Sequence, residues 1–159
     1  TPLCAVFLDA RSSLLPWLWA LTLACGCAAQ DSRFFSITIS SGGGFNGFVR
    51  GYRLQSEGKI VAFVHRTATD ESILWTRSTD ARAMRSFSHK LRATGLLEQT
   101  AQEYGNITTR IVYESSDSTF VWTWSGSEPA PVAVAGWYRE VTRFCSGLGP
   151  DSAPHGNGN

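Results

Sequence analysis

At 159 residues the chain has room for one domain once terminal signals are set aside. Hydrophobic residues make up 43% and charged residues 17%, the balance of a globular rather than a disordered chain. The formal net charge of +1 gives no electrostatic reason to expect nucleic acid or an anionic surface as partner.

The chain opens on Thr1 and its one methionine, Met84, lies mid-chain, so residues 1–10 are expected to contribute nothing to the fold. After Arg11 comes an uncharged apolar run, Leu14-Leu15-Pro16-Trp17-Leu18-Trp19-Ala20-Leu21-Thr22-Leu23-Ala24. It falls short of the roughly 20 residues a spanning helix needs but has the length of a signal-peptide core. The run ends in Ala24-Cys25-Gly26-Cys27-Ala28-Ala29-Gln30, and then turns polar at Asp31, Ser32 and Arg33. Small residues before a cysteine at this place resemble the lipobox of bacterial lipoproteins. In that family Gly or Ala precedes the cleavage point and the cysteine thiol receives a diacylglycerol. The resemblance implies lipidation at Cys27, with Ala24 where leucine is usual and Cys25 as the alternative acceptor. A secretory signal cut after Ala29 and a buried helix are the competing readings. The expected organisation is a leader and signal over 1–27, a tether over 28–33, a domain over 34–148 and a mobile tail over 149–159. The expected location is extracytoplasmic, on a bacterial membrane facing the periplasm or the exterior, held by acyl chains worth roughly 0.8 kcal/mol per buried CH₂. Cys4, Cys25 and Cys27 all fall in the leader, which leaves Cys145 as a small core residue with no disulfide partner.

In the body, residues 34–40 alternate apolar and polar with period two, the pattern of a half-buried strand. The glycine-dense stretch from Ser41 through Gly42, Gly43, Gly44, Phe45 and Asn46 to Gly47 predicts a turn, and residues 49–55 a second strand. A third follows over 59–65 and a short fourth at Ile73-Leu74-Trp75. Ser78-Thr79-Asp80 offers helix caps, and Met84, Phe87 and Leu91 then share one face, predicting a helix over 81–94 that Gly95 ends. Residues 109–114 and 119–124 flank Ser115-Ser116-Asp117-Ser118 as a hairpin, with Phe120, Trp122 and Trp124 on one face. Pro129 and Pro131 open a last helix, whose first turn tolerates proline, and Val134, Trp137, Val141 and Phe144 line its apolar stripe up to Gly147. The expected architecture is α+β: an antiparallel sheet of chain order βββ(β)-α-ββ-α, with the helices packed on one face.

Catalytic patterns are weak. Gly42, Gly44 and Gly47 match G-x-G-x-x-G by spacing, but a strand rather than a phosphate-cradling helix follows. His65, His89 and His155 show no metal-ligand spacing, no serine sits in a nucleophile elbow, and Asp70-Glu71 reads as a solvated turn. Asn106-Ile107-Thr108 is a glycosylation sequon by pattern alone. No catalytic residue, metal or cofactor is expected, and the chain is not expected to be an enzyme.

Residues 37–47, Ile37-Thr38-Ile39-Ser40-Ser41-Gly42-Gly43-Gly44-Phe45-Asn46-Gly47, resemble the opening of the emfourin-like family of small bacterial proteins, whose named member inhibits protealysin, a thermolysin-like metalloprotease. Leu91-Arg92-Ala93-Thr94-Gly95-Leu96-Leu97 is similar to the end of that family's first helix, and the closing hairpin and C-terminal helix match in order. This chain differs by an extra glycine in the turn, an insertion over 66–78 and the lipoprotein leader. The resemblance implies an anchored inhibitory domain whose contact loop is Gly43, Gly44, Phe45 and Asn46. Phe45 would be the apolar anchor and the glycines would permit close approach. The other reading of Phe45 is a plug at the end of the sheet. The alternative function is a non-inhibitory structural or interaction lipoprotein of the cell envelope, using the aromatic strand face or Arg82 and Arg85.

Overall fold

The computed structural model describes residues 34–67 and 69–150. Six strands form a single antiparallel sheet: β1 (Phe35–Gly43), β2 (Phe48–Gln55), β3 (Lys59–His65), β4 (Ser72–Ser78), β5 (Ile107–Ser115) and β6 (Thr119–Ser125). Between β4 and β5 run helix α1 (Ala81–Ala93) and a 3₁₀ turn at Leu96–Glu98, and helix α2 (Val132–Ser146) follows β6. The spatial order is β4-β3-β2-β1-β5-β6. The first four strands are thus a meander, and α1 carries the chain back so that β5 pairs with the free edge of β1. The fold is α+β, as the hydrophobic periodicities require.

Period-two alternation decides which side chains reach the core. On β1, Phe35, Ile37 and Ile39 are buried on one face. The pairing register sets Ile37 between Leu54 and Tyr113, and Ile39 between Tyr52 and Ile111. Trp122 and Trp124 of β6 join this side, and both are buried. Met84, Phe87 and Leu91 of α1 and Val134, Trp137 and Val141 of α2 form one buried cluster with these strand residues. Polar atoms carried into the cluster are satisfied: Trp137 Nε1 donates to Phe87 O at 3.0 Å and Trp122 Nε1 to Gln99 O at 2.9 Å. Arg92 donates to the buried Tyr113 hydroxyl at 2.6 Å, fastening α1 to β5.

The helix ends follow from their sequences. Asp80 is the N-cap of α1, its carboxylate accepting from Arg82 N at 2.8 Å. Gly95, in the left-handed conformation at φ 72°, closes the same helix, and Leu96 then folds back into the core. For α2 the prolines act differently from the expectation: Pro131 is the N-cap and Pro129 lies before it, so neither occupies the first turn. Pro131 still contributes, its carbonyl accepting from Ala135 N at 2.9 Å. Cys145, on the core side of α2, is completely buried, and that burial pushes its thiol pKa up to about 12.

Two further differences concern strand lengths. The glycine run was expected to turn at Ser41, but β1 continues to Gly43 because Ser41, Gly42 and Gly43 pair with Arg50, Val49 and Phe48. The short fourth strand is a full seven-residue edge strand, Ser72–Ser78, with a bulge opposite Ala62/Phe63. Its pairing with β3 stabilises a segment whose own alternation is poor. At the other edge, residues 101–103 cover β6, with Thr123 N donating to Ala101 O at 2.9 Å. Among the described residues no helix is long and apolar enough to cross a membrane. Of the expected tail, Gly149 and Pro150 are described, and residues 151–159 lie outside the described residues.

Candidate functional site

The β1–β2 turn is built from glycines whose positive φ disfavours any other residue. Gly43 has φ 112°, and a Cβ there would lie 2.5 Å from Asn106 O. Gly44 donates its N–H to Asn106 O, which ties the turn to the segment entering β5. Gly47 N then donates to Gly44 O at 3.2 Å, closing a four-residue turn with Phe45 and Asn46 at its two central positions. Gly43 therefore ends the strand, while Gly44, Phe45 and Asn46 form the projecting tip.

Phe45 is 106% exposed, so its ring touches nothing and the plug reading is excluded. Phe48, just past the turn, is 43% exposed, and the Arg66 guanidinium stacks over its ring at 4.1 Å from the centroid. Arg66 is placed by its own loop. Asp70 accepts from Arg66 N at 2.9 Å and from Thr67 N at 2.6 Å, and these hydrogen bonds hold its carboxyl below the usual range. Residues 66–78 thus supply strand β4 and set Arg66 beside the turn.

The sheet face turned away from the core cluster holds a second feature. Along β1 this face carries only short side chains, Ser36, Thr38, Ser40 and Gly42, and Gly51 lies beside Ser40 on β2. Phe63 covers Gly51 so closely that a Cβ there would stand 2.7 Å from its ring. The Arg53 guanidinium lies 5.4 Å from the Phe63 ring centroid and the His65 ring stacks beside it at 5.8 Å. Arg53 also pairs with Glu71 at 3.0 Å. Small residues between larger ones make a trough. One part, about 470 Å³, lies between Arg53, Phe63 and His65 on one wall and Arg110, Val112 and Glu114 on the other. A second part, about 310 Å³, adjoins it at the loop end, lined by Val49, His65, Tyr104, Arg110, Val121 and Thr123. Ser40, His65 and Arg110 belong to both. His65 Nδ1 and Thr123 Oγ1 are buried here without a hydrogen-bond partner among the described residues. Leaving such a group unpaired costs roughly 1–3 kcal/mol.

The other candidate residues separate rather than converge. His89 is exposed on α1, and His155 lies outside the described residues. Among the described residues no three His, Cys, Asp or Glu side chains cluster as metal ligands would. After Gly47 comes strand β2, so the glycine spacing has no helix N-terminus beside it to hold phosphate. Trp122 and Trp124 are core and leave no aromatic recognition face, whereas Arg82 and Arg85 are exposed. Cys25 and Cys27, the lipidation candidates, lie outside the described residues. Sequence reading missed the Arg53–Glu71 pair and the placement of Arg110. Each strand's alternation showed which side chains share a face, but only the register across strands brings them together.

No family model matches the chain, and no curated protein matches it significantly.

Proposed function

We propose that the chain is a lipid-anchored extracytoplasmic binding domain that inhibits thermolysin-like metalloproteases through its β1–β2 loop. The observation that carries the reading is Phe45: a wholly exposed aromatic side chain at the tip of a turn held by backbone hydrogen bonds. A soluble domain gains nothing for its own stability from such a residue, and a preorganised apolar tip loses little entropy on entering a cleft. The chain from the tether enters at Phe35, and the nine-residue strand β1 carries it about 27 Å to the loop. Glycines around Phe45 let a partner's backbone approach closely, and the Arg66–Phe48 stack beside them broadens the contact surface. The resemblance of residues 37–47 to the emfourin-like opening directs the choice of partner.

The test is inhibition of several thermolysin-like proteases by residues 30–159 at micromolar concentration. Phe45→Ala removes an anchor of the kind worth at least about 2 kcal/mol, so the inhibition constant should rise about 30-fold. The melting temperature should stay unchanged, because the ring makes no contact within the domain. Equal inhibition by the variant would rule the loop out as the contact. No inhibition of any such protease would leave an interaction lipoprotein of the envelope, with exposed Arg82 and Arg85 the next residues to replace.

A further inference from the structure

We propose that the loop end of the sheet trough is a binding site for an organic carboxylate carrying a small apolar body, with Arg110 as its anion-binding residue. The site is separate from the Phe45 tip and does not depend on protease inhibition.

Charge is the first argument. Among the described residues, the cleft of about 310 Å³ is lined by Arg110 and His65 and by no acidic side chain. The other arginine of this face, Arg53, is already paired with Glu71 at 3.0 Å. Arg110 has neither an ion-pair nor a hydrogen-bond partner among the described residues. Glu114 stands four residues further along β5, about 13 Å away by strand rise, at the opposite end of the trough. A guanidinium fork left open in a concave site matches a carboxylate in both shape and charge.

Unpaired polar atoms are the second and independent argument. Thr123 is 3% exposed, and its Oγ1 has no partner among the described residues. Register places Thr123 directly across from Arg110 on the next strand, and Ser40 directly across on the other side. A buried hydroxyl without a partner asks for one. Hydroxyls on both sides of a guanidinium form a donor set for the two oxygens of one carboxylate. The third argument is the remaining lining. Val49, Val121 and Tyr104 supply apolar surface next to these donors, and the volume fits a group the size of a phenyl ring or a short aliphatic chain. A phosphate or sulfate would leave that apolar wall in water, so the carboxylate with a hydrocarbon body is the better match.

Such a group comes either from a free organic acid or from the C-terminus of a peptide ending in an apolar residue. Two probe pairs separate these sources: 4-phenylbutyrate with its amide, and acetyl-Ala-Ala-Phe as free acid with its amide. Titration of the protein by calorimetry, with amide-shift mapping, should show the acids binding at least about tenfold more tightly than the amides. Shifts should centre on Ser40, Arg110 and Thr123. Binding by the peptide acid alone assigns the site to polypeptide C-termini, and binding by both acids assigns it to the carboxylate in general. Arg110→Met, at an exposed position, should abolish the preference for acid over amide without changing the fold. Thr123→Val keeps the shape of the side chain. It should raise the melting temperature by removing an unpaired hydroxyl while weakening the acid several-fold, a combination that a purely structural threonine does not give. Equal affinity for acid and amide, an unaltered preference in Arg110→Met, or no binding of either acid at millimolar concentration would overturn the proposal.

Discussion

Cys145 and Phe45 stand at the two extremes of burial, and their chemistry follows from that. The Cys145 thiol is enclosed by the core, so ionising it would place charge in an apolar medium, and its pKa is pushed up to about 12. In residues 30–159 it is the only thiol, and it should fail to react with a chromogenic disulfide reagent at pH 8 until denaturant is added. Rapid reaction in the folded state would show that α2 opens readily. The pH dependence has a definite sign. The folded pKa lies above the unfolded value of about 8.5, so the folded state retains a proton that the unfolded state has released. The stabilisation is complete below about pH 8.5 and is lost progressively as pH rises towards 12. Denaturant midpoints should therefore fall more steeply across that window in the native protein than in Cys145→Ala. Burial likewise raises the pKa of Tyr138 and adds to the same slope. Phe45 has no such coupling, which makes it free to serve a partner.

At the scale of elements, caps and register matter more than propensity. Helix α1 has no acidic residue in its first turn, so the Asp80 cap is the main anionic group near its N-terminus. Asp80→Ala should cost about 1 kcal/mol and lower the melting temperature by about 4 °C, whereas Asp80→Asn should keep most of the stability. Thermal unfolding followed by circular dichroism measures both, and equal loss in the two variants would show that the charge rather than the hydrogen bond matters. The strands β1, β2, β3, β5 and β6 and both helices were legible from alternation and from 3.6-residue stripes. Strand β4 was legible only as three residues, because Ser72, Thr76, Arg77 and Ser78 carry no apolar signal of their own. Pairing with β3 supplies what local sequence lacks. The extension of β1 to Gly43 escaped notice for a related reason: glycines read as turn formers, yet backbone hydrogen bonding to β2 needs no side chain.

For the whole molecule, the proposed reading assigns membrane attachment to the leader and recognition to the domain. On the proposed reading Cys27→Ser should abolish incorporation of labelled fatty acid and release the protein from membranes, while Cys25→Ser should leave both intact. The reverse pattern would move the acceptor to Cys25, and retention of label by both single variants would remove the lipoprotein reading. The loop after β1 and the trough beside it lie at the same end of the sheet, where a partner can reach both.

By itself the sequence determined the α+β architecture, the caps of α1, the burial of Cys145 and the position of a glycine-built turn. All of these depend on spacing within ten or fifteen residues, where periodicity, capping oxygens and positive-φ glycines act directly. Tertiary structure alone decided that Phe45 projects, that Glu71 pairs with Arg53, and that Arg110, Ser40 and Thr123 stand side by side. Those facts depend on which strands neighbour each other and in what register. Register is fixed by gathering the apolar side chains of several strands into one cluster with those of both helices, a condition no single segment can express.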